Sequence, residues 1–600
     1  MPVSSTQSMV RSHSSGRSPW SRRGPGRYLL FGVVAAVLVA AGAFALTRGG
    51  ARANPAVGST CSGTPLTISV VAPSGTFPVL DRLATAWTAG HPGLNGRCLA
   101  ATVSRKESSQ VAATLSPGWD TARDGVRPDV WIPESSLWLS VAAGRPEAAA
   151  LLPASPASIA SSPVVVALRA DVAQALGWPQ HALTWPEVVG AFVAPGGWAK
   201  LGHPEWSQLR IGMVEPAAST AGLAAVISIL DQNGTGTVTD AQLVASLGFT
   251  QTLGAVVPDG GQFFTAQANP ASTIAAFPAL ETDVAAFNRA HPDHPLAPVY
   301  PAGAPIVADY PYTVFNSSWV DDDIRAAAGQ FLQYLQGSAG QDAFGVAMLR
   351  APDRSIRDAA ALPTAQGFLT SVPQPRVNPN AATLSGMITQ WTALERQSNV
   401  LLAVDTSGSM ALAVPGTQMT RMQLMQQTAS SGFALLTNQS NVGLWDFSSR
   451  PGAGEFRQLV GFGPATAVLD QGTRQQDMLG ALAGLKPGGD TPLYDTVYAG
   501  FKEMQKHWQA NSTNAVLLIT DGANDLPGGG GLTLSQLLAR LTAEQQPDRP
   551  VQVISIAVGP EADAAALQQI SQATGGRTFV EKDPAAAVQT LVLAFAGRLS

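Results

Sequence analysis

The chain has 600 residues, of which 45% are hydrophobic and 13% are charged, and its formal net charge is -5. This length exceeds what one hydrophobic core organises, so we expect several domains, and the composition excludes a chain that is disordered throughout. Because the first 27 residues carry five arginines and no acid, the remainder carries a net charge of -10, which excludes nucleic acid as an expected partner.

Residues 1–27 form a basic tail that precedes a long uncharged stretch. Residues 28–46 read YLLFGVVAAVLVAAGAFAL, which at about 1.5 Å per helical residue nearly crosses the hydrocarbon core of a membrane. They predict a single transmembrane anchor, with a cytoplasmic N-terminus and the bulk of the chain extracytoplasmic. A cleaved secretory signal is the alternative, because Ala51, Arg52 and Ala53 have the form of a cleavage site, and the protein would then be secreted.

Cys61 and Cys98 are the only cysteines of the chain, and both follow a short linker at residues 47–60. An extracytoplasmic compartment is oxidising, so we expect a disulfide between them at the start of the first outer domain. Two free buried thiols are the alternative.

Residues 61–375 alternate short apolar runs with small-residue turns and helical stretches, which is the pattern of an α/β domain. Strands are predicted at 66–71, 129–132 and 210–214. Hydroxyl side chains flank such runs, where helix N-termini direct N–H groups toward a ligand. The candidate ligand-binding residues are Ser74, Ser135, Ser136, Ser162, Ser219 and Thr220. The alternative is that each of them only caps a helix.

This segment resembles the periplasmic solute-binding proteins of ABC importers, type two. The resemblance is carried by PDVWIPESSLWL, IASSPVVVAL, TWPEVV, EPAASTAGLAAV, ETDVAAFNRAHP and FGVAMLRAPD. It implies two α/β lobes joined by crossing strands, a small-molecule ligand in the cleft between them, and a membrane permease as a partner. No Arg or Lys stands among the candidate hydroxyls to clamp an anion, so the class of ligand stays open.

Residues 376–395 are expected to be a linker, since prolines and asparagines around residues 371–386 favour an exposed, semi-extended chain. A second domain is expected at 396–600, where the apolar runs NVLLAVD, NVGLWDFS, AVLLITD and VQVISIAVG alternate with helical stretches such as 420–437. Runs of Val, Leu and Ile indicate strands that are buried on both faces. We therefore predict a doubly wound parallel sheet with helices on either side.

Polar residues stand where the strands of this sheet end. Asp405 ends the first strand and is followed by Ser407 and Ser409, Asp521 ends the strand AVLLITD, and Thr491 lies in a loop rich in Gly and Pro. Because adjacent parallel strands end at one edge of the sheet, we expect the five side chains to converge. Two carboxylates and three hydroxyls form an all-oxygen set that suits Mg²⁺. The alternative is that they cap helices and turns.

The order D-x-S-x-S, then Thr, then T-D-G resembles a von Willebrand factor type A domain with a metal-ion-dependent adhesion site. The resemblance implies that Ser407, Ser409 and Thr491 bind the ion directly, and that Asp405 and Asp521 bind it directly or through water. It also implies a protein partner that offers an Asp or Glu carboxylate to the metal. Asp490 departs from the pattern, since many relatives have a small residue there.

These features predict a membrane-anchored extracytoplasmic binding and adhesion protein rather than an enzyme. The sequence contains no H-E-x-x-H, P-loop, G-x-S-x-G or G-x-G-x-x-G motif, and its seven histidines are scattered. One alternative is the substrate-binding component of an ABC-type importer. A second is an assistant of a metal chelatase, which the expected external location disfavours because chelatases need cytoplasmic ATP.

Overall fold

The computed structural model describes residues 61–581 with short internal gaps. The gaps are residues 117, 194–195, 232–233, 237–241, 243–245, 247–248, 251–252, 270, 304, 359–361, 396, 416–417, 434–439, 450–454, 470–471, 527–529 and 559–561. The tail, anchor and linker predicted at 1–60 lie outside the described residues. Among the helices that the structure does describe, none combines the length and apolarity needed to span a membrane.

The strands fall into three main sheets and one hairpin. In chain order they are β1 Ser62–Ala72, β2 Gly93–Leu94, β3 Arg97–Arg105, β4 Val130–Trp131, β5 Ala157–Ser158, β6 Ser162–Arg169, β7 Arg210–Val214, β8 Leu253–Val257, β9 Ile274–Leu280, β10 Leu296–Val299, β11 Val307–Ala308, β12 Pro311–Val314, β13 Gln397–Asp405, β14 Asn441–Phe447, β15 Phe456–Pro464, β16 Val468–Leu469, β17 Gly472–Thr473, β18 Ser512–Thr520, β19 Gln552–Val558 and β20 Thr578–Glu581.

Helices connect most of these strands, which makes the class α/β, as predicted. The α-helices among the described residues are Phe77–Ala89, Ser108–Leu115, Thr121–Asp124, Ser136–Ala143, Pro146–Ala149, Ala170–Ala175, Trp185–Val193, Gly197–Lys200, Thr220–Leu230, Gly261–Gln267, Glu281–Ala290, Asp322–Gln336, Ser338–Val346, Ala381–Glu395, Arg421–Phe433, Arg474–Ala483, Leu493–Lys506, Leu534–Glu544 and Ala564–Ala573. Short 3₁₀ turns lie at Pro204–Gln208, Thr364–Gln366 and Gly408–Ala411.

The first domain consists of two lobes, each built on its own sheet. The first lobe has the strand order β2-β3-β1-β4-β12-β5, and the second has β10-β6-β9-β7-β8 with β11 paired to β6. The chain passes from the first lobe to the second between β5 and β6 and returns between β11 and β12. The two segments that cross between the lobes contact each other, and Ile159 N donates a hydrogen bond to Tyr310 O at 3.1 Å. The predicted pair of lobes with crossing segments is therefore present.

The disulfide between Cys61 and Cys98 is present and confirms the prediction. It joins the residue before β1 to the strand β3, and these two strands pair in parallel beyond it. The bond therefore fastens the beginning of the outer region to the sheet of the first lobe.

The expected linker at residues 376–395 is wrong for most of its length. Residues Ala381–Glu395 form a helix, which we call the bridging helix, and it packs against helix Ser136–Ala143 of the first lobe and helix Thr220–Leu230 of the second. Its side chains Leu384, Met387 and Trp391 are buried in the core of the first domain. Burial of these three apolar side chains stabilises a packed helix over the exposed chain that the prolines suggested.

The second domain is the predicted doubly wound sheet, with the order β15-β14-β13-β18-β19-β20. All neighbours from β14 to β20 along this order pair in parallel, and β15 adds an antiparallel edge. In β13 the side chains of Val400, Leu402 and Val404 enter one apolar core, whereas Leu401 and Ala403 enter another. Helices thus cover both faces, and the polar residues that follow the strands gather at one edge.

Candidate functional site

The carboxyl ends of β13 and β18 bring two of the predicted metal residues to the same edge of the second domain. The strands pair in parallel register, with Val404 opposite Ile519, so β13 ends one residue later at Asp405 and β18 ends one residue later at Thr520, directly before Asp521. Asp405 accepts a hydrogen bond from Thr520 Oγ1 at 2.6 Å through Oδ2 and one from Ser407 N at 2.8 Å through Oδ1. The side chain of Asp405 is thereby fixed in orientation across the two strands.

The serine hydroxyls join the two aspartates in one chain of contacts. Ser407 Oγ lies 3.0 Å from Ser409 Oγ, and Ser409 Oγ donates to Asp521 Oδ1 at 2.7 Å. Both aspartates are fully buried. Four of the five residues predicted as metal ligands are thus linked in one series of hydrogen bonds, which runs from Asp405 through Ser407 and Ser409 to Asp521.

Thr491, the fifth predicted ligand, faces the same point. A Cβ atom placed on Gly522 would lie 3.6 Å from Thr491 Oγ1 and 3.8 Å from Ser409 Oγ, so both hydroxyls meet in front of that glycine. Thr491 is 5% exposed, and within the described part of the chain its hydroxyl takes part in no hydrogen bond that the structure shows.

The electrostatics of the site combine two buried carboxylates with one buried cation. Burial raises the pKa of Asp405 to about 6, and the charge of Asp521 acts in the same direction. Arg421 Nη1 donates to Asp521 Oδ2 at 2.9 Å, and its side chain is only 3% exposed. Arg421 is not among the site residues predicted from the sequence. A signal was available, because Arg421 begins a helix, where the helix dipole disfavours a cation.

Asp490, which departs from the family pattern, has its carboxylate engaged away from the five residues. Its Oδ2 accepts a hydrogen bond from Ser449 Oγ at 2.6 Å, and its backbone N donates to the same hydroxyl at 3.0 Å. Asp490 therefore fixes the loop that carries Thr491 to the end of β14.

The donor set fits a hard divalent cation. It consists of oxygens only, as Mg²⁺ prefers, and the hydroxyls of Thr491 and Ser409 face the same point beside Gly522. Within the described residues, no group of three or more His, Cys, Asp or Glu side chains is arranged to hold a metal. At this edge of the sheet, three hydroxyls converge with two carboxylates.

The six hydroxyl residues predicted as ligand-binding do not form one cluster. Ser135 accepts from Leu137 N at 3.2 Å and Ser219 from Gly222 N at 3.4 Å, so both cap helices, as the alternative held. Ser74 instead hydrogen-bonds Glu107.

The other three residues lie where segments meet. Ser162 Oγ accepts from Thr282 N at 3.2 Å, and Ser136 N donates to Asp309 Oδ1 at 2.7 Å. Thr220 contacts the opposite lobe. Which of the six touch a ligand stays a prediction.

The contact between the lobes centres on Glu134, which the sequence analysis quoted only within a motif. Thr220 Oγ1, in the second lobe, donates to Glu134 Oε2 at 2.5 Å and accepts from Trp138 Nε1 at 2.7 Å. Burial raises the pKa of Glu134 to about 7, and the charge of Asp283 from the second lobe adds to the shift. Burial likewise raises the pKa of Asp283 to about 6. The facing surfaces of the lobes are thus rich in carboxylates.

Each of the two domains contains a segment that matches the model of a known family. Residues 68–347 match the family model of the bacterial extracellular solute-binding protein, and residues 400–524 match that of the von Willebrand factor type A domain. The first domain is therefore similar to the bacterial extracellular solute-binding proteins, and the second is similar to von Willebrand factor type A domains. A comparison with curated proteins found no match.

Solved structures resemble the two domains separately. Iron-bound HitA from Pseudomonas aeruginosa is 17% identical, with 55% of this chain and 98% of that chain covered and a TM-score of 0.38. A von Willebrand factor type A protein from Catenulispora acidiphila is 17% identical, with 33% of this chain and 42% of that chain covered and a TM-score of 0.26. A proximal thread matrix protein from the mussel byssus, with zinc in its adhesion motif, is 18% identical, with 33% and 47% covered and a TM-score of 0.24. The chain thus spans less than half of these two von Willebrand relatives.

Proposed function

We propose that this protein is a membrane-anchored, extracytoplasmic binding protein whose second domain holds a protein partner through a divalent cation. The observation that supports it is the convergence of five oxygen-bearing side chains at the edge of the sheet. Asp405, Ser407, Ser409, Thr491 and Asp521 come from three separate segments of the chain, yet their side chains share one small space.

The residues of the site suit adhesion better than catalysis. Asp405 and Asp521 supply two negative charges, whereas Ser407, Ser409 and Thr491 supply neutral oxygens. When bound, Mg²⁺ supplies a Lewis-acidic position that accepts one more oxygen from outside. A carboxylate of Asp or Glu on a partner protein has the charge and the oxygen that this position favours. No described His or Cys side chain contacts the five residues, so the site offers no evident nucleophile or proton carrier of that kind.

The first domain adds a second binding function, for a small molecule between its lobes. Delivery of that molecule to an importer permease is the second candidate function, supported by the solute-binding family match. We rank it behind adhesion because the bridging helix, Ala381–Glu395, packs against both lobes. Release of a ligand requires the lobes to separate, and this helix would have to shift whenever they did.

Metal binding is tested on the chain without residues 1–60 by titration with Mn²⁺, followed by electron paramagnetic resonance and water-proton relaxation. We expect one ion, with affinity reduced on the order of tenfold or more by Thr491→Val. Thr496→Val is the matched control, because Thr496 is a buried threonine whose hydroxyl donates to Pro492 O at 2.7 Å rather than to the site. Unchanged Mn²⁺ affinity in Thr491→Val contradicts the proposal.

The proposed coordination position for a partner's carboxylate is tested by adding acetate to the Mn²⁺-loaded protein. Acetate should displace water from the ion and lower the relaxation enhancement, and EDTA should abolish the signal. An enhancement that acetate leaves unchanged would argue that the cation has no position for a partner and is structural only.

The location is tested by fractionating cells that express the full chain with a C-terminal tag. A retained anchor keeps the tagged protein in the membrane fraction after a carbonate wash and leaves the tag accessible to external protease. Recovery of the tagged protein from the medium, shortened by about fifty residues, supports the cleaved signal instead.

A further inference from the structure

Arg421 shares a carboxylate with the proposed metal site. It is the first residue of helix Arg421–Phe433, and its Nη1 donates to Asp521 Oδ2 at 2.9 Å. The opposite oxygen of the same carboxylate, Oδ1, accepts from Ser409 at 2.7 Å. Asp521 therefore stands between a permanent cation and the hydroxyls that face the metal position.

Because this pair is buried, the balance of its charges affects the stability of the domain. The side chain of Arg421 is 3% exposed and that of Asp521 is fully buried. A guanidinium does not lose its proton in proteins, so the positive charge is present at every physiological pH. A buried carboxylate without a counter-charge is strongly destabilising, and Arg421 supplies that counter-charge when no metal is present.

The position of Arg421 in its helix argues that the ion pair is specific to the site. The N-terminus of a helix carries a partial positive charge, which disfavours a basic residue in the first turn. The guanidinium nevertheless lies there, buried, and points to a residue of the proposed metal set. The attraction to Asp521 therefore helps to offset both the helix dipole and the desolvation of the guanidinium.

We propose that Arg421 is a built-in counter-charge that stabilises the metal-free second domain and weakens the hold of the site on its cation. Arg421 and the ion compete for the negative charge of Asp521, and the two positive charges repel each other. With the ion bound, two carboxylates face three positive charges, which leaves the site with a net positive charge. The partner's carboxylate restores neutrality, so binding of the partner and of the metal reinforce each other. This inference rests on the proposed metal site.

The proposal is tested with Arg421→Met, which keeps an unbranched apolar side chain and removes the charge, and with Arg421→Gln, which removes the charge and keeps a hydrogen-bond donor. Each variant should bind Mg²⁺ on the order of tenfold more tightly than the wild type in calorimetric titration. In EDTA each should melt at a lower temperature than the wild type, and saturating Mg²⁺ should raise that temperature by more than it does in the wild type. Arg421→Lys, which keeps the charge, should stay close to the wild type in Mg²⁺ affinity.

Arg457→Met is the matched control. Arg457 also pairs with a buried aspartate of the same sheet, Asp446, but it contacts none of the five residues. The Arg457→Met variant should have a lower melting temperature than the wild type, by the same amount with and without Mg²⁺, and an unchanged affinity for Mg²⁺.

The possible failures are distinguishable. If Thr491→Val lowers Mg²⁺ affinity in the wild-type background, but Arg421→Met and Arg421→Gln bind Mg²⁺ no more tightly than the wild type, the counter-charge proposal is overturned and the metal site stands. If the wild type binds no Mg²⁺ at the site, both proposals are overturned. If Arg421→Met does not fold, the Arg421→Gln variant decides the question by the same affinity criterion.

Discussion

Replacing Glu134 by Gln should remove part of the pH dependence of unfolding of the first domain. Glu134 accepts a hydrogen bond from the hydroxyl of Thr220 in the other lobe. Burial raises the pKa of Glu134 from the ordinary 4.5 to about 7. The negative charges of Asp283 and Glu107 act in the same direction. The folded state therefore favours protonated Glu134, whereas the unfolded chain releases the proton near the ordinary value.

The sign and size of the effect follow from this difference. Because the folded pKa of Glu134 is the higher one, its stabilising contribution is complete below pH 4.5 and is lost as the pH rises through about 7. At about 1.36 kcal/mol for each pKa unit, the loss approaches 3 kcal/mol between about pH 4 and pH 8. The Gln variant cannot ionise, so its free energy of unfolding should fall by about 3 kcal/mol less over the same range.

The assay is urea unfolding followed by tryptophan fluorescence at several pH values. Ten of the thirteen tryptophans lie in residues 61–395, so the signal reports mainly on the first domain. Asp283 and Asp309 also have raised pKa values, but they remain in both proteins and largely cancel in the comparison. Glu147→Gln, at an exposed glutamate, is the control and should follow the wild type. Equal pH dependence in the wild type and the Glu134→Gln variant would contradict the raised pKa of Glu134 in the folded state.

Three further predictions concern stability and use the same unfolding assay. Trp391→Ala, in the bridging helix, should lower the free energy of unfolding by about 3–5 kcal/mol, and an unchanged urea midpoint would show that the helix contributes no packing. Reduction of the disulfide should cost about 2–4 kcal/mol, and a variant with Cys61→Ala and Cys98→Ala should lose the same amount and no longer respond to reductant. Arg350→Met should cost about 3–5 kcal/mol because it leaves Glu281 buried without its partner, whereas adding Glu281→Gln should recover part of the loss; no recovery would assign the cost to packing instead.

The sequence predicted the elements whose neighbours along the chain define them. Asp405 follows a run of buried apolar residues, and the same pattern at Asp521 placed both carboxylates at the carboxyl edge of one parallel sheet. Strand β7 was predicted with its observed bounds, 210–214, and a helix that begins at Thr220 follows it. In each case an apolar run followed by a turn or a helix cap is enough to predict the strand and the position of the polar residue after it. The fold then only pairs neighbouring strands.

The features that the sequence analysis missed depend on distant segments. The bridging helix was taken for a linker because prolines precede it, and only the presence of both lobes gives Trp391 a place to be buried. Glu134 stands beside Thr220, which is 86 residues later in the chain. Arg421 and Asp521 are 100 residues apart, and no local pattern links them. Contacts of this kind appear only when the sheets are assembled.

Anomalous diffraction from crystals grown with Mn²⁺ is the most direct test of the metal centre. Data collected near the manganese absorption edge locate the ion without reference to any assumed ligand. We expect one strong peak at the edge of the sheet, within bonding distance of the hydroxyls of Ser407, Ser409 and Thr491, with a further position open to solvent or to a carboxylate. A map without a peak there, or with Mn²⁺ bound at other residues only, would contradict this expectation.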